Sequence, residues 1–473
     1  MIVLNAFQKK GIAILGLGKT GVAAAASLLL SKATLFAFDS NISQLKKAKE
    51  ILIKKYKIPE NLLENIQFFS SVDHFVTQLN DISALVVSPG VPLKYPKPHP
   101  VVSLALKHNI PITSDIELLF ESNRDAFYIG VTGTNGKSTT TALIHHILAA
   151  SGKKSNLGGN IGTPVLDLPQ SDNDTIYTLE LSSYQLDLLQ KYTFNIAILL
   201  NITHDHISRH GTYQNYINAK KKIFAHQTKK DIAIISVDHK NTNGIYQELL
   251  KAKNQNIIPI SKSKILETGV SVLGNMLYNK LNNAYSVYEL SVPTALLGAH
   301  NAENIAAAFA ASYSLNIPSE KIIAAIENFK GLPHRMELVL LRKKDNVKFI
   351  NDSKATNTVS AQCALTTFKK IHWIAGGLSK EEDWDKLLKT VNDNITHTYL
   401  VGQDRDKIAK ILKNYNVEYT ISVTLEKALE DIAKNITKNS VILLSPACAS
   451  FDQWKSFEYR GNKFRQLVKE LYS

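Results

Sequence analysis

Short apolar runs recur along the chain, each closing on glycine or a polar residue and each followed by a stretch with helical spacing. Residues 11–15 (GIAIL) and 34–38 (TLFAF) read as strands, with a small-residue helix at 22–30 between them. The series continues at 85–87, 126–131 (AFYIGV), 175–179, 195–200 and 231–237, with helices at 139–150 and 302–314. Further strands are expected at 348–350, 371–375, 398–401 and 441–444. Near-continuous apolar strands alternating with helices predict mostly parallel sheets covered on both faces, an α/β fold. A proline-rich stretch at 92–100 and the segment Gly331-Leu332-Pro333-His334-Arg335 punctuate the pattern. They divide the chain into three expected domains, 1–114, 115–331 and 332–473, and 473 residues are enough for each to bury its own core.

Chemistry gathers where these strands end, as open α/β sheets require. The first strand runs into Gly16-Leu17-Gly18-Lys19-Thr20-Gly21, and the second ends at Asp39. Strand, G-x-G-x-x-G, helix, strand and acid form the dinucleotide pattern of a Rossmann-like N-terminal domain. The strand at 126–131 runs into Gly130-Val131-Thr132-Gly133-Thr134-Asn135-Gly136-Lys137-Ser138-Thr139, the strand–turn–helix signature of a P-loop. Backbone N–H groups at a positive helix end suit a polyphosphate, Lys137 adds a point charge, and the Ser138 hydroxyl can ligate Mg²⁺. Val131 stands where that pattern has its first glycine, so Gly130 or Gly133 must supply the turn. The central domain is therefore expected to be P-loop NTPase-like and to bind ATP.

The totals narrow the field. Net charge is +14, but the lysines are dispersed, the densest cluster is Lys220-Lys221-Lys222, and no nucleic-acid motif accompanies them. A solvated basic surface serving anionic small substrates is the expectation, without a nucleic-acid partner. The longest apolar run, residues 21–30, is too short to span a membrane, so no membrane insertion is expected. Only Cys363 and Cys448 occur, and the N-terminus carries no signal-peptide h-region, which points to a cytoplasmic protein without disulfides.

Two more strand-end clusters complete the picture: Glu180-Leu181-Ser182-Ser183 and Asn201-Ile202-Thr203-His204-Asp205-His206. A carboxylate and an imidazole near the Ser138 hydroxyl can finish a Mg²⁺ site. An NAD-dependent oxidoreductase would explain residues 16–21 and Asp39 but leaves the 133–139 loop idle. A nucleic-acid-stimulated ATPase would explain charge and P-loop but not the segments Asn351-Asp352-Ser353-Lys354-Ala355-Thr356-Asn357 and Leu444-Ser445-Pro446-Ala447-Cys448-Ala449-Ser450.

With Gly158-Gly159-Asn160-Ile161-Gly162, Gly298-Ala299-His300-Asn301-Ala302-Glu303-Asn304 and Pro333-His334-Arg335, these motifs occur in an order that resembles the Mur ligases over essentially the whole chain. That family comprises ATP-dependent amide-bond-forming enzymes of bacterial cell-wall precursor synthesis. The Asn351–Asn357 and Leu444–Ser450 segments are similar to those of its D-glutamate-adding branch. The resemblance implies addition of D-glutamate to UDP-N-acetylmuramoyl-L-alanine through an acyl phosphate, by a monomer using ATP and two Mg²⁺. It further implies that Gly133, Thr134, Asn135, Gly136, Lys137, Ser138 and Thr139 hold the phosphates, and that Asn301, Asn304, Arg335 and Asp352 grip the rest of the nucleotide. Ser138, Glu180, His206 and a carbamylated Lys220 would serve the metal, with Lys137, His206 and Lys220 as the catalytic set. Gly18, Lys19, Thr20, Asp39, Ser88 and Asn160 would bind the uridine diphosphate. Lys354, Thr356, Lys380, Ser450 and Phe457, on an α/β Rossmann-like C-terminal domain, would receive D-glutamate. Three acids, Glu381-Glu382-Asp383, follow Lys380 where the family often has small residues, a departure that counts against Lys380 as a carboxylate ligand unless they face solvent.

Overall fold

A computed structural model describes residues 1–170, 172, 174–282, 285–379 and 383–472. Its strands form three sheets, of five, nine and six strands. The first contains β1 (Gly11–Leu15), β2 (Thr34–Phe38), β3 (Ile66–Phe69), β4 (Ala84–Val87) and β5 (Ile112–Thr113), in the order β3-β2-β1-β4-β5. All its pairings are parallel. The order reverses between β1 and β4, which opens a crevice at their carboxyl ends. β1 and β2 are buried at four of five positions each, as the apolar runs require.

The second sheet contains β6 (Phe127–Thr132), β7 (Ser155–Gly159), β8 (Ile176–Glu180), β9 (Ile196–Leu199), β10 (Ile232–Ser236) and β11 (Asn256–Ser261). It is extended by β12 (Gly269–Leu273), β13 (Met276–Lys280) and β14 (Ser286–Glu289), in the order β14-β13-β12-β11-β10-β9-β6-β8-β7. β6 lies between β9 and β8, parallel to both, so the residues following these three strands emerge side by side. The third sheet contains β15 (Glu337–Arg342), β16 (Val347–Asn351), β17 (Ile371–Gly376), β18 (Ile395–Val401), β19 (Tyr419–Val423) and β20 (Val441–Leu444). Its order is β15-β16-β20-β17-β18-β19, and only β15 runs antiparallel to its neighbour among the pairings described. β17 is buried at all six positions.

The expected strand series is present, with ends shifted by up to three residues. The apolar pattern did not reveal β3, β5, β7, β11 to β15 or β19. β13 and β14 carry alternating partly buried positions, and β15 is an edge strand with no fully buried residue. A half-buried edge leaves too few apolar residues in sequence to register as a run.

By contact density the chain divides into two compact units. The first comprises Met1–Val272, Leu277–Tyr288 and Ala306–Ile322 and holds the first two sheets; the second comprises Leu273–Met276, Glu289–Ile305 and the chain from Ile323 onward and holds the third. One core runs through the first unit, from Ile12 and Leu28 to Leu119, Tyr177 and Leu199. No described helix is long and apolar enough to cross a membrane.

Candidate active site

In the first unit, β6 ends at Thr132 and the chain turns through Gly133-Thr134-Asn135-Gly136 into the helix Lys137–Ala150. Gly136 caps that helix in the left-handed region at φ 85°, a conformation glycine adopts without steric cost. Gly133 supplies the other bend: a Cβ there would lie 3.1 Å from the Asn135 carbonyl oxygen. Gly130 lies inside β6, where a Cβ would fall 2.7 Å from the Phe194 ring, so its role is packing. Asn201, just past β9, braces the loop: Thr134 N–H donates to its carbonyl (2.8 Å) and Asn135 N–H to its Oδ1 (2.9 Å). Lys137 Nζ folds back to donate to the Gly133 and Thr134 carbonyls, 2.8 Å each. Ser138 is buried and Thr139 half-buried at the start of the helix.

Three neighbours close around this loop. Glu180, the last residue of β8, is 2% exposed, and its Oε1 accepts from Asn160 Nδ2 at 2.7 Å. Its Oε2 is buried with no hydrogen-bond partner, an arrangement that costs free energy unless a cation or donor arrives. Lys220, in the helix Tyr213–Lys221, is 1% exposed and donates to the Gly133 carbonyl at 2.7 Å. Lys221 pairs with Glu248 and Lys222 with Asp187, both on accessible side chains, so burial singles out Lys220 from the triplet. Burial, and then the charge of Lys137, drives the Lys220 ammonium far below its ordinary pKa against the pull of Asp205 and Glu180. His206 starts a short helical turn at φ 53° and shares a hydrogen bond with the Tyr184 hydroxyl at 3.0 Å. Burial lowers its pKa too, with Lys220 and Lys137 adding to the effect and Asp205 opposing it. Lys137, Lys220, Glu180, Asp205 and His206 thus form one electrostatic group.

The arrangement offers an anion cradle beside a vacant carboxylate oxygen. No group of three His, Cys, Asp or Glu able to hold a metal occurs among the described residues. A divalent cation at Glu180 would therefore also need hydroxyl, phosphate or modified-lysine oxygens, the hard donors such ions prefer. Sequence reasoning gave no role to Asn201, nor to Tyr216, whose hydroxyl meets Thr134 Oγ1 at 3.0 Å.

The glycine loop after β1 is built differently. Gly21 is fixed by space, since a Cβ would lie 1.9 Å from the Gly16 carbonyl oxygen. Ser88 donates to that same carbonyl at 2.7 Å. Asp39 accepts from the backbone N–H of Leu17 (2.9 Å) and of Asn41 (2.9 Å). Gly18 and Lys19 are exposed and Thr20 half-buried at the start of the helix Lys19–Leu30. Beside them opens a cavity of about 700 Å³, bounded by Leu17, Gly18, Lys19, Lys47 and Ile51 on one side and Gly162-Thr163-Pro164 on the other. Lys19 and Lys47, a third lysine (Lys55) paired with Asp167, a helix N-terminus and apolar walls suit a nucleotide. Asn160 is exposed and tied to Glu180 rather than to this cavity, through its side chain and its backbone N–H.

The second unit carries most of the remaining candidates. Asn301 and Asn304 are buried on the helix Ala299–Tyr313, where Asn304 Nδ2 donates to Asn301 Oδ1 at 2.7 Å. Asp352 follows β16 and accepts from the Ser445 hydroxyl (2.8 Å) and Met336 N–H (3.2 Å). Burial pushes its pKa up to about 7 against those bonds and the Arg335 charge. Lys354 Nζ lies 4.0 Å from the centre of the Phe457 ring. Ser450 is buried on the loop after β20, which an Ala449–Leu378 bridge ties to the loop after β17, and Thr356 is half-buried. Lys380, Glu381 and Glu382 lie outside the described residues. Asp383 is exposed and caps the helix Trp384–Val391, accepting from Lys386 N–H at 2.9 Å.

Residues 131–312 match the Mur ligase middle domain and residues 334–448 the Mur ligase glutamate ligase domain. The chain is 38% identical to the UDP-N-acetylmuramoylalanine–D-glutamate ligase of Rickettsia bellii, covering 98% of each protein. It belongs to the Mur ligase family. The like-named ligase of Caulobacter vibrioides strain NA1000 is 38% identical over all of this chain and 98% of its own. Among solved Mur ligases, the UDP-N-acetylmuramate–alanine ligase of Thermotoga maritima shares the fold at a TM-score of 0.58 and 18% identity, covering 98% of this chain and 99% of its own. The MurF ligase of the same organism, solved with ADP, matches at 0.56 and 16% identity, covering 99% of this chain and 97% of its own.

Proposed function

We propose that the protein is an ATP-dependent ligase that joins D-glutamate to the L-alanyl carboxylate of UDP-N-acetylmuramoyl-L-alanine, in peptidoglycan precursor synthesis in the cytoplasm. Near-full-length identity to ligases of that name carries the reading. The geometry supports it with a phosphate cradle, a buried carboxylate with one oxygen unpartnered and a lysine-bearing amino-acid end. We assign the segments 1–114, 115–331 and 332–473 to the uridine nucleotide, ATP and the amino acid respectively. The protein acts as a monomer.

A carboxylate forms an amide only after it acquires a leaving group. Its oxygen attacks the ATP γ-phosphorus in line, ADP departs, and an acyl phosphate results. The amine of D-glutamate attacks the acyl carbon, and the tetrahedral intermediate expels phosphate. The protein's contribution is positioning and charge, the general logic of phosphoryl transfer. The loop N–H groups and Lys137 hold the phosphates; to reach them, Lys137 exchanges its two carbonyl contacts for phosphate oxygens. The proton that the amine loses passes to bound phosphate or to His206. Asn301, Asn304, Arg335 and Asp352 hold the remainder of ATP. Gly18, Lys19, Thr20, Asp39 and Ser88 serve the uridine diphosphate, and Asn160 joins them on releasing the Glu180 side chain.

Ser138, Glu180, His206 and carbamylated Lys220 would hold two Mg²⁺, and the open oxygen of Glu180 fits a hard cation. Bound Mg²⁺ supplies neutralisation of the phosphate charge. A neutral Lys220 amine is the form that adds carbon dioxide, and burial beside Lys137 favours that form. Lys354, Thr356, Lys380, Ser450 and Phe457 would receive D-glutamate.

The test is phosphate release from ATP and UDP-N-acetylmuramoyl-L-alanine with a panel of amino acids. D-Glutamate should support release, while D-glutamine and L-alanine should fail by up to ~10⁴-fold, because a site built for a polar group leaves donors unpaired without it. Preference for L-alanine or a diamino acid overturns the substrate assignment.

A further inference from the structure

The helix Phe457–Tyr472 buries Arg460, Gly461, Phe464, Leu467 and Val468, an apolar stripe with an arginine at its head. Arg460 is 3% exposed. A buried guanidinium is tolerated only where its N–H groups find acceptors, and these do. Nε donates to Ser353 Oγ at 3.0 Å and Nη2 to the Ser353 carbonyl at 2.9 Å. Nη1 and Nη2 both reach the Cys448 carbonyl at 3.2 Å. Every acceptor is neutral. Among the described residues no carboxylate pairs with Arg460, and burial draws its pKa down to about 10, leaving it charged at neutral pH.

Its two anchors sit on the two loops that carry the candidate amino-acid site. Ser353 immediately precedes Lys354 and lies three residues before Thr356; Cys448 lies two before Ser450. The Ser353 hydroxyl passes the contact on, donating to the Phe457 carbonyl at 2.8 Å, and the Phe457 ring carries the Lys354 ammonium. One guanidinium thus sets the spacing of Lys354, Ser450 and Phe457. Its positive charge, which Asp452 offsets only through the field and not by an ion pair, also favours an anionic ligand, since low-dielectric surroundings transmit that field.

We propose that Arg460 is a positioning residue for the acidic amino acid, fixing the loops after β16 and β20 in register and biasing their site toward a diacid. The proposal rests on the reading of a D-glutamate ligase given above. An ammonium lacks the planar fork that spans two carbonyls and a hydroxyl, so lysine is no equivalent.

The experiment measures Arg460→Lys and Arg460→Ala beside the wild type, with thermal unfolding of each. For Arg460→Lys, the KM for D-glutamate should rise about tenfold while the KM values for ATP and UDP-N-acetylmuramoyl-L-alanine stay within about twofold. In Arg460→Ala, the preference for D-glutamate over D-glutamine should shrink, and millimolar guanidinium should restore part of the activity. Should Arg460→Ala fail to fold, Arg460→Lys carries the test. An unchanged KM for the amino acid, or an equal rise for all three substrates, overturns the assignment. A wild type that ignores D-glutamate rejects the function reading instead; the variants are then judged by the same split with the amino acid it does use.

Discussion

Among the described residues two buried cations, Lys220 and Arg460, each lie beside a group of candidate site residues, and they are built for opposite ends. Lys220, under the loop after β6, is a compact ammonium on a flexible stem, close enough to Lys137 and deep enough to lose its proton readily. Arg460, beneath the loops after β16 and β20, satisfies a planar fork on neutral carbonyls and a hydroxyl and keeps its charge. The first residue is placed to react, the second to hold. Lysine responds to burial by changing protonation state, arginine by collecting acceptors, and the choice of residue follows the task.

Exchanging the residue types breaks the contrast most sharply. Lys220→Arg restores a permanent charge where the account needs a group that can become a carbamate. Turnover should fall by about 10³-fold, comparable to removing a principal electrostatic contributor to a transition state. Lys220→Ala should recover in part with short carboxylic acids, which can supply the missing oxygens. Near-normal turnover of Lys220→Arg, in the phosphate-release assay, would make Lys220 a structural lysine.

A smaller effect is expected at Asp352. Its folded pKa of about 7 lies above the ordinary carboxylate value of 3.8, so the fold binds a proton the unfolded chain releases. Stability should therefore be highest below pH 4 as far as this group is concerned, and decline as pH rises from about 4 to 7. The full shift corresponds to about 4 kcal/mol at most. Asp352→Asn should flatten that part of the pH dependence in urea unfolding; an unchanged slope removes Asp352 as its source.

The chain gives up its architecture readily because buried parallel strands write themselves as apolar runs. β1, β2 and β20 have the bounds the pattern implied, whereas β13, β14 and β15 escaped because partly buried strands dilute the signal. The P-loop was legible down to its lysine, but the division of labour among Gly130, Gly133 and Gly136 required the backbone and Phe194. Among Lys220, Lys221 and Lys222, only burial separates the members. Asp39 stood at the right spacing, yet its two oxygens hold the Leu17 and Asn41 backbone. Arg460 was overlooked because an arginine among Glu458, Lys463 and Arg465 reads as solvated. Its signal was position, in line with Phe464 and Leu467 on the buried face.

The central claim is that the γ-phosphoryl group of ATP activates the L-alanyl carboxylate for attack by D-glutamate. The most direct test supplies UDP-N-acetylmuramoyl-L-alanine with its carboxylate oxygens isotopically labelled, together with ATP and D-glutamate, and follows the label by mass spectrometry. The account predicts one labelled oxygen in each phosphate released and the other in the new amide. Unlabelled phosphate, or label released equally with L-alanine in place of D-glutamate, would contradict it.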